Sequence, residues 1–295
     1  MLRRREQPLL LAAAALFIAM FCAAPLASLC GEVFAAGTSA FQVWANPQLW
    51  WLLARSLGLA GLITAGALVI GATMGVLIAR ADLPARRALW FLHAFPFFLP
   101  PFLLALGWFH VFGQAAPLGG TITTPLLFSE AGFVGALVLA FAPVASSLVA
   151  VSLLGMDASL EEAARLCARP LRVATRILLP AARPALVLAA VVVFALAVSE
   201  LGVAVFLRVD VFPAAVFARL GGMSYAPGEA FVLTLPLIPV ALILLAIERR
   251  FAGARAFTVG GLRGMGRAPL PLGRWRLPCT VFAWSLALLG VAPLM

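Results

Sequence analysis

The feature that most constrains this chain is a series of apolar runs, each of about 20 residues, separated by short arginine-bearing segments. A helix needs about 20 apolar residues to cross the hydrocarbon core of a bilayer, and its backbone groups must be satisfied within the helix. The chain is 64% hydrophobic and 11% charged, which excludes an ordinary soluble domain. The sequence therefore predicts an all-α, polytopic membrane helical bundle with six transmembrane helices and the start of a seventh. The six spans cover residues 8–29, 56–79, 88–111, 131–154, 184–207 and 230–247, and the seventh begins near Pro278.

The placement of arginine predicts the orientation of these spans. All 21 basic residues are arginine, and eighteen of them fall in segments that alternating crossings would put on one side. Arg55, Arg208 and Arg219 fall on the other side. Because basic segments stay in the cytoplasm, we expect a multi-pass protein of the cell inner (cytoplasmic) membrane with a cytoplasmic N terminus. The first run is too long for a signal-peptide core and is expected to remain as a helix.

This topology also accounts for the net charge of +10. Arginines between apolar runs indicate contact with membrane lipid, and nucleic acid is not an expected partner. The four cysteines occur singly, without the spacing of a zinc site or a disulfide framework. The sequence contains no P-loop, nucleophile elbow or H-E-x-x-H motif. We therefore expect no enzymatic activity, no cofactor and no metal site.

A weak internal repeat predicts the domain organisation. Residues 251–277 are rich in Gly, Pro and Arg, which is typical of a linker, here a basic and cytoplasmic one. The segment that follows repeats the order of the N terminus, with arginines, a proline and an apolar helix. The Ala-Pro-Leu of residues 24–26 recurs at residues 292–294. We expect residues 1–250 to form one transmembrane domain and residues 278–295 to begin a second, truncated half of a duplicated protein.

The segment of residues 156–183 is polar but has helical order. Ser159 is a favourable helix N-cap, and Glu162 three positions later completes a capping box. Pro170 ends this first short helix, because the residue before a proline avoids the helical region. A second short helix follows and leads to Pro180. A stiff helix-turn-helix element is therefore expected at one end of the bundle.

This segment resembles the EAA loop in permease subunits of binding-protein-dependent ABC importers. That loop has Glu-Ala-Ala, then a glycine, then an apolar residue and Leu-Pro. This chain has Glu162-Ala163-Ala164 and later Leu179-Pro180. The family glycine is absent, and the distance from Glu162 to Pro180 is one residue shorter than usual. The Ala-Arg-Ala-Asp-Leu-Pro turn at residues 79–84 resembles the ferric-iron group of the family, whose members are often fused duplications.

The resemblance implies an inner-membrane permease that forms a solute path and docks through this loop onto a dimer of cytoplasmic ATP-binding subunits. It implies a periplasmic solute-binding protein that contacts residues 36–50 and 210–228. It also implies a second permease half, supplied by a continuation of this chain or by a partner. Ferric iron is the expected substrate, with thiamine, polyamine and sulfate as alternatives. The residues expected to couple to the ATPase are Ser159, Glu161, Glu162, Ala163, Ala164, Arg165, Ala168, Pro170, Leu179 and Pro180.

Glu200 is an ionisable residue inside the fifth predicted span. A charge at that depth is costly and marks a pathway or a buried partner. Ser199, Glu200 and Gly202 are therefore candidates for lining the translocation path. The alternative is that Glu200 reaches water near the outer end of the span or pairs with Arg208. The acidic residue and the repeat also fit an ion-coupled secondary transporter, which stays open as an alternative function.

Two further patterns bear on packing. Pro96, Pro100 and Pro101 predict a kink in the third span, because proline removes a helical hydrogen bond. Gly71 and Gly75, together with Gly58, Gly61 and Gly66, form a face of small residues on the second span, which predicts close packing against a neighbouring helix.

Overall fold

The computed structural model describes residue 13 and residues 15–156, 170–221, 225–252 and 269–294. These residues are almost entirely helical, with short connections between helices. The α-helices are α1 (Ala24–Ala36), α2 (Pro47–Arg80), α3 (Arg86–Ala94), α4 (Pro101–Phe112), α5 (Thr123–Leu127), α6 (Glu130–Leu154), α7 (Pro170–Val173), α8 (Leu179–Ala181), α9 (Arg183–Ser199), α10 (Gly202–Phe206), α11 (Phe212–Gly221), α12 (Pro227–Thr234), α13 (Leu237–Ala252) and α14 (Arg276–Val291). Residues Ala19–Ala23 and Ala174–Leu178 form π-helical turns, and Gly37–Ala45, Phe95–Phe98, Gly273–Trp275 and Ala292–Leu294 form 3-10 turns.

Several helices have the length and apolar character of membrane spans. Within the described residues, four stretches qualify as single helices, and two bent helix pairs bring the number to six if each pair counts as one span. The four stretches are Ala15–Ala45, Pro47–Arg80, Glu130–Leu154 and Pro227–Phe251. The prediction of an all-helical, polytopic arrangement is confirmed at this level. The helix of the first span continues to Ala45, beyond its predicted end at residue 29. The helix of the second span begins at Pro47, before its predicted start at residue 56.

The third predicted span is broken, where the sequence predicts only a kink. Its two parts, Arg86–Phe98 and Pro101–Phe112, are bent by 103°. Leu99 between them is extended, with φ −104° and ψ 143°. The cause is the Pro100-Pro101 pair, because a residue that precedes proline avoids the helical region and each proline lacks an N–H donor. The expected kink is therefore corrected to a sharp turn between two half-helices.

The fifth predicted span is also interrupted, although the sequence predicts a continuous helix to residue 207. Helix α9 ends at Ser199, and Glu200 is extended with φ −73° and ψ 118°. The chain becomes helical again in α10. At its other end, α9 is bent by 63° from Ala174–Ala181. Pro184 in the first turn of α9 is compatible with this bend, since proline is tolerated where its missing N–H has no helical partner.

The chain divides into two compact units, one of residues 1–53 and 212–240 and one of residues 54–211 and 241–295. In the first unit, α1 packs on α12. The Trp44 indole Nε1 donates to the Val232 carbonyl oxygen at 3.3 Å, and the Trp44 ring stacks on Phe212 with 6.0 Å between centroids. The Arg219 guanidinium pairs with the Glu229 carboxylate at 3.2 Å. These contacts tie residues 36–53 to the 212–234 segment.

In the second unit, α6 is the central helix. Helix α9 packs along it, and α2 approaches it through glycine. A Cβ added at Gly71 would lie 2.9 Å from the Ser146 backbone nitrogen, and one at Gly75 would lie 2.7 Å from the Val149 Cβ. The predicted close packing is thus seen at Gly71 and Gly75, whereas Gly58 and Gly61 of the same predicted face have nothing within 4 Å of an added Cβ. Helix α14 covers another face of the unit and packs on α3, with Ala283 and Ala287 buried against Leu89.

We predict that Gly71→Ala destabilises the protein, whereas Gly61→Ala does not. The Gly71 methyl group would meet the α6 backbone, and overpacking of this kind costs about 1–3 kcal/mol. Gly61 lies on the same helix with nothing within 4 Å of an added Cβ, so alanine there gains helix propensity of up to about 1 kcal/mol. Thermal unfolding of the purified variants in detergent measures the difference. Equal melting temperatures for the two variants would contradict the close approach of α2 to α6.

Candidate functional site

The second unit has an arginine-rich end, defined by Arg80, Arg86, Leu153 and Arg183. Arg80 is 4% exposed, and its guanidinium donates to the Leu153 carbonyl oxygen at the end of α6. A buried cluster at this end joins the last turns of α2 and α6 to the start of α9. Its members include Ala79, Val149, Leu153, Val173, Leu178, Ala182 and Leu270. Helices α2 and α6 therefore finish where α9 begins.

An ion pair between Arg55 and Glu130 lies at the opposite end of the second unit. Arg55 lies at the N-terminal end of the part of α2 that belongs to the second unit. Its Nε donates a hydrogen bond to the Glu130 carboxylate at 2.9 Å. Arg55 also donates to the Asp210 carbonyl oxygen at 3.1 Å. Glu130 opens α6, and Asp210 follows α10, so α6 starts at the end where the α9–α10 segment finishes. The alternating direction of consecutive spans, which the arginine pattern predicts, is confirmed for these elements.

The predicted coupling loop lies only partly within the described residues. Ser159, Glu161, Glu162, Ala163, Ala164, Arg165 and Ala168 lie outside them. Pro170 begins α7, and Leu179 and Pro180 lie in α8 after the π-helical turn. The second short helix expected before Pro180 is thus present as a helical segment over residues 170–181. Val173 and Leu178 bury this segment against α6, which fixes it to the arginine-rich end.

The three residues predicted to line a path lie together at the break between α9 and α10. The Glu200 carboxylate Oε1 accepts a hydrogen bond from the Val203 N–H at 2.9 Å. The carboxylate therefore caps the first turn of α10, and its partner is the Val203 N–H and not Arg208, which was one of the alternatives. The Ser199 hydroxyl is turned back onto its own helix and donates to the Ala195 carbonyl oxygen at 3.0 Å. Gly202 lies beside the Glu200 carboxylate and the Phe102 Cβ.

Sequence reasoning missed the aromatic cluster that adjoins this break. The Phe102 and Phe206 rings meet edge to face at 5.3 Å, and Phe109 meets Phe206 at 5.8 Å. Phe128 completes the cluster against Phe109 at 6.0 Å. The cluster joins α4 to α10, so the break after residue 98 and the break at Glu200 lie next to each other. The only sequence signals were the Pro100-Pro101 pair and the polar Ser-Glu within an apolar run.

Two predicted binding-protein segments also come together. Residues 36–50 and most of residues 210–228 belong to the first unit, where Trp44 contacts Phe212. The sequence predicts them as loops, but they are largely helical, with a 3-10 turn at Gly37–Ala45 and helix α11. Their aromatic side chains include exposed Phe41, Trp50 and Tyr225.

The histidines do not meet. His93 is buried in α3, and among the described residues its Nε2 has no hydrogen-bond partner. The His110 Nδ1 lies 2.8 Å from the Leu106 carbonyl oxygen one turn earlier in α4. Over the described part of the chain, no group of three or more His, Cys, Asp or Glu side chains is arranged to hold a metal ion.

Comparison with known proteins gives likeness in both sequence and fold. No protein family model matches the chain. The chain is 28% identical over 180 residues to the putative 2-aminoethylphosphonate transport system permease proteins PhnU of Salmonella typhimurium and Salmonella choleraesuis. The alignment covers 57% of this chain and 63% of each relative, so the chain spans less than two thirds of the length of the curated relatives it matches.

The fold is similar to that of chains in two crystal structures of bacterial ABC transporters. One is an alginate ABC transporter in complex with an alginate pentasaccharide-bound periplasmic protein, with a TM-score of 0.68. The other is a transporter involved in the import of the acidic polysaccharide alginate, with a TM-score of 0.67. Sequence identity is 16% in both cases, and the match covers 84% and 85% of this chain and 94% and 96% of the other chains. At this identity the likeness shows the fold alone.

We predict that Glu200→Ala lowers stability and that Glu200→Gln does not. The glutamine side-chain oxygen can still accept from the Val203 N–H, whereas alanine leaves that donor without its cap, at a cost of about 1 kcal/mol. Thermal unfolding in detergent is the measurement. If both variants unfold at the wild-type temperature, the carboxylate does not cap α10.

Proposed function

We propose that this chain is the permease subunit of an ATP-driven ABC importer of the inner membrane and forms part of the solute path. The observation that carries the proposal is the 28% identity over 180 residues to the PhnU permease proteins. The fold likeness to alginate ABC transporters supports the same reading, because it extends over 84% of the chain. A second permease half, from a partner or from a continuation of the chain, completes the path in this proposal.

Coupling to ATP hydrolysis is assigned to residues 156–183 at the arginine-rich end, which we place in the cytoplasm. The support for this assignment is the packing of the segment against the helices of the bundle. Residues 170–182 share one buried cluster with the last turns of α2 and α6, so a displacement of this segment must move those helices. Packed interiors shift as rigid bodies because they have little free volume to absorb strain. A dimer of ATP-binding subunits that pushes on Glu162 and its neighbours would therefore move the bundle.

The translocation path is assigned to the side of the second unit where the two helix breaks meet. Irregular backbone inside a membrane is tolerated where it lines a cavity or is buried in protein, and broken helices hold substrate sites in many transporters. Ser199, Glu200 and Gly202 lie at one break, and Phe102 follows the other. Breaks of this kind expose backbone polar groups that a passing solute can use.

The delivery site is assigned to the paired segments of the first unit. Exposed aromatic side chains such as Phe41, Trp50 and Tyr225 suit a protein contact, since aromatic residues are enriched at interfaces. We propose that a periplasmic solute-binding protein contacts this surface. The proposal requires that residues 36–50 and 210–228 act as one surface, which their contact through Trp44 and Phe212 favours.

The substrate is proposed to be a small organophosphonate, with ferric iron as the next candidate. The name of the PhnU relatives points to an aminoalkylphosphonate. Gly202 lies near both the Glu200 carboxylate and Phe102, whose ring contacts Phe206, so this region offers a negative charge and aromatic side chains to an ammonium group, a combination that favours organic cations. Thiamine, polyamine and sulfate are less favoured by these observations.

We predict that the double variant Glu162→Ala/Arg165→Ala loses the ATPase partner while remaining in the membrane. Truncation of two central interface residues weakens association by about tenfold or more. The measurement is copurification with the proposed ATP-binding subunit, followed by solute uptake in reconstituted vesicles. The matched control is Glu248→Ala/Arg249→Ala, which removes one acidic and one basic residue from α13 and should leave both readouts unchanged.

Unchanged ATPase association and uptake in the Glu162/Arg165 variant would overturn the coupling assignment. Uptake that collapses with the ion gradient, in the absence of any ATPase partner, would instead favour an ion-coupled secondary transporter. The path assignment has its own readout, because Glu200→Gln should reduce uptake without loss of stability.

A further inference from the structure

An open cleft of about 550 Å³ lies at the arginine-rich end, beside the turn between α2 and α3. Its lining residues are Ala81, Asp82, Leu83, Ala85, Arg86, Arg87, Ala88 and Pro269. Three of them are charged, and the rest are small or apolar. The cleft belongs to neither the coupling segment nor the helix breaks assigned above. Its position places it where two apolar helices end, which is the level of lipid headgroups in a spanning protein.

Residues 269–276, of which Pro269 lines the cleft, form a strap across the turn. The Leu270 N–H donates to the Arg80 carbonyl oxygen at 2.6 Å. The Leu272 N–H donates to the Asp82 carboxylate Oδ1 at 3.1 Å. Arg276 Nε donates to the Asp82 carbonyl oxygen at 3.0 Å and lies 3.6 Å from its carboxylate Oδ2. The turn and the strap therefore hold each other in place.

The electrostatics of the cleft favour an anion. The charge of Asp82 is already engaged by the Leu272 N–H and by the Arg276 guanidinium. Arg86 and Arg87 lie side by side at the start of α3 and are exposed. Both side chains line the cleft, and a guanidinium group suits a phosphate because its N–H groups can bond two phosphate oxygens at once.

The surroundings indicate that the phosphate belongs to an amphiphile. Phe91 follows Arg87 by one helical turn and is 80% exposed, and Phe98 farther along is 76% exposed. An apolar stripe thus runs away from the cleft toward the interior of the membrane. Trp275 in the strap is 57% exposed, with the Arg274 guanidinium 5.7 Å from its ring centroid. An exposed tryptophan next to arginine is typical of the headgroup layer.

We propose that this cleft binds the phosphate headgroup of an anionic phospholipid, with Arg86 and Arg87 as its cationic partners and the acyl chains along Phe91 and Phe98. The shared chemistry is a phosphate group, and the exposed apolar stripe favours the lipid over free phosphate. Basic clefts between membrane helices are suited to anionic headgroups. The site is independent of the transport function proposed above.

We predict that the full-length protein retains phosphatidylglycerol in preference to phosphatidylcholine and that Arg86→Gln/Arg87→Gln loses this preference. Each basic residue near an anionic surface is worth about fivefold in binding, so the double variant should lose roughly tenfold or more. Native mass spectrometry of protein extracted with each lipid measures retention. The matched control is Arg249→Gln/Arg250→Gln, an adjacent arginine pair at the end of α13 that does not line the cleft.

Equal loss in both double variants would overturn the site and indicate a general effect of surface charge. Stabilisation by inorganic phosphate as large as that by phosphatidylglycerol would overturn the lipid assignment. If the double variant does not fold, Arg87→Gln and Arg87→Lys serve instead. Retention should fall about fivefold in the first and stay within about twofold of wild type in the second, because lysine keeps the charge. Equal retention by these two single variants would contradict the proposal.

Discussion

A helix that ends or breaks in apolar surroundings leaves backbone N–H and C=O groups without partners, and water is not there to satisfy them. In this chain, side chains and backbone groups of neighbouring segments provide the missing hydrogen-bond partners. Arg80 donates to the last carbonyl groups of α6 at Leu153, and the Leu270 N–H bonds the carbonyl oxygen of Arg80 itself. Glu200 accepts from the first turn of α10. Arg80 and Glu200, two charged residues next to apolar runs, are therefore located where helices stop.

The same requirement links the fold to the candidate site. Two spans contain interruptions, one at Leu99-Pro100 and one at Glu200, and the aromatic cluster of Phe102, Phe109, Phe128 and Phe206 joins the two half-helices that follow. An isolated break would expose polar backbone to lipid. Two breaks packed together are shielded by each other's aromatic rings, and this side of the second unit thereby acquires a carboxylate and polar backbone beside apolar walls. A path for a polar solute needs such polar groups within apolar walls.

Much of the architecture was predictable from the sequence because hydropathy acts over whole helices. Apolar length predicted a polytopic helical arrangement, and the arginine distribution predicted that the second and fourth spans run in the same direction. Arg55–Glu130 at the start of α6 and Arg80–Leu153 at its end agree with that direction. The breaks were harder to predict. Pro100 and Pro101 signalled a disturbance, but its 103° angle depends on tertiary packing around α4. The polar Ser199-Glu200 pair was the only sequence signal at the second break, and it did not predict that the helix would stop there, because that stop depends on the carboxylate reaching Val203.

Asp82 shows why contacts between residues that are distant in the sequence could not be predicted from the sequence pattern. In sequence it belongs to a short turn between two spans, and its partners Leu272 and Arg276 lie about 190 residues away in a segment that reads as a basic linker. From the sequence, the arginines of that segment were interpreted only as residues that orient the spans. Once the strap is folded across the turn, the Asp82 carboxylate is engaged, and Arg86 and Arg87 dominate the electrostatics of the adjoining cleft. The strap thus helps to shape the surface on which Arg86 and Arg87 lie, and this is the surface that we propose binds an anion.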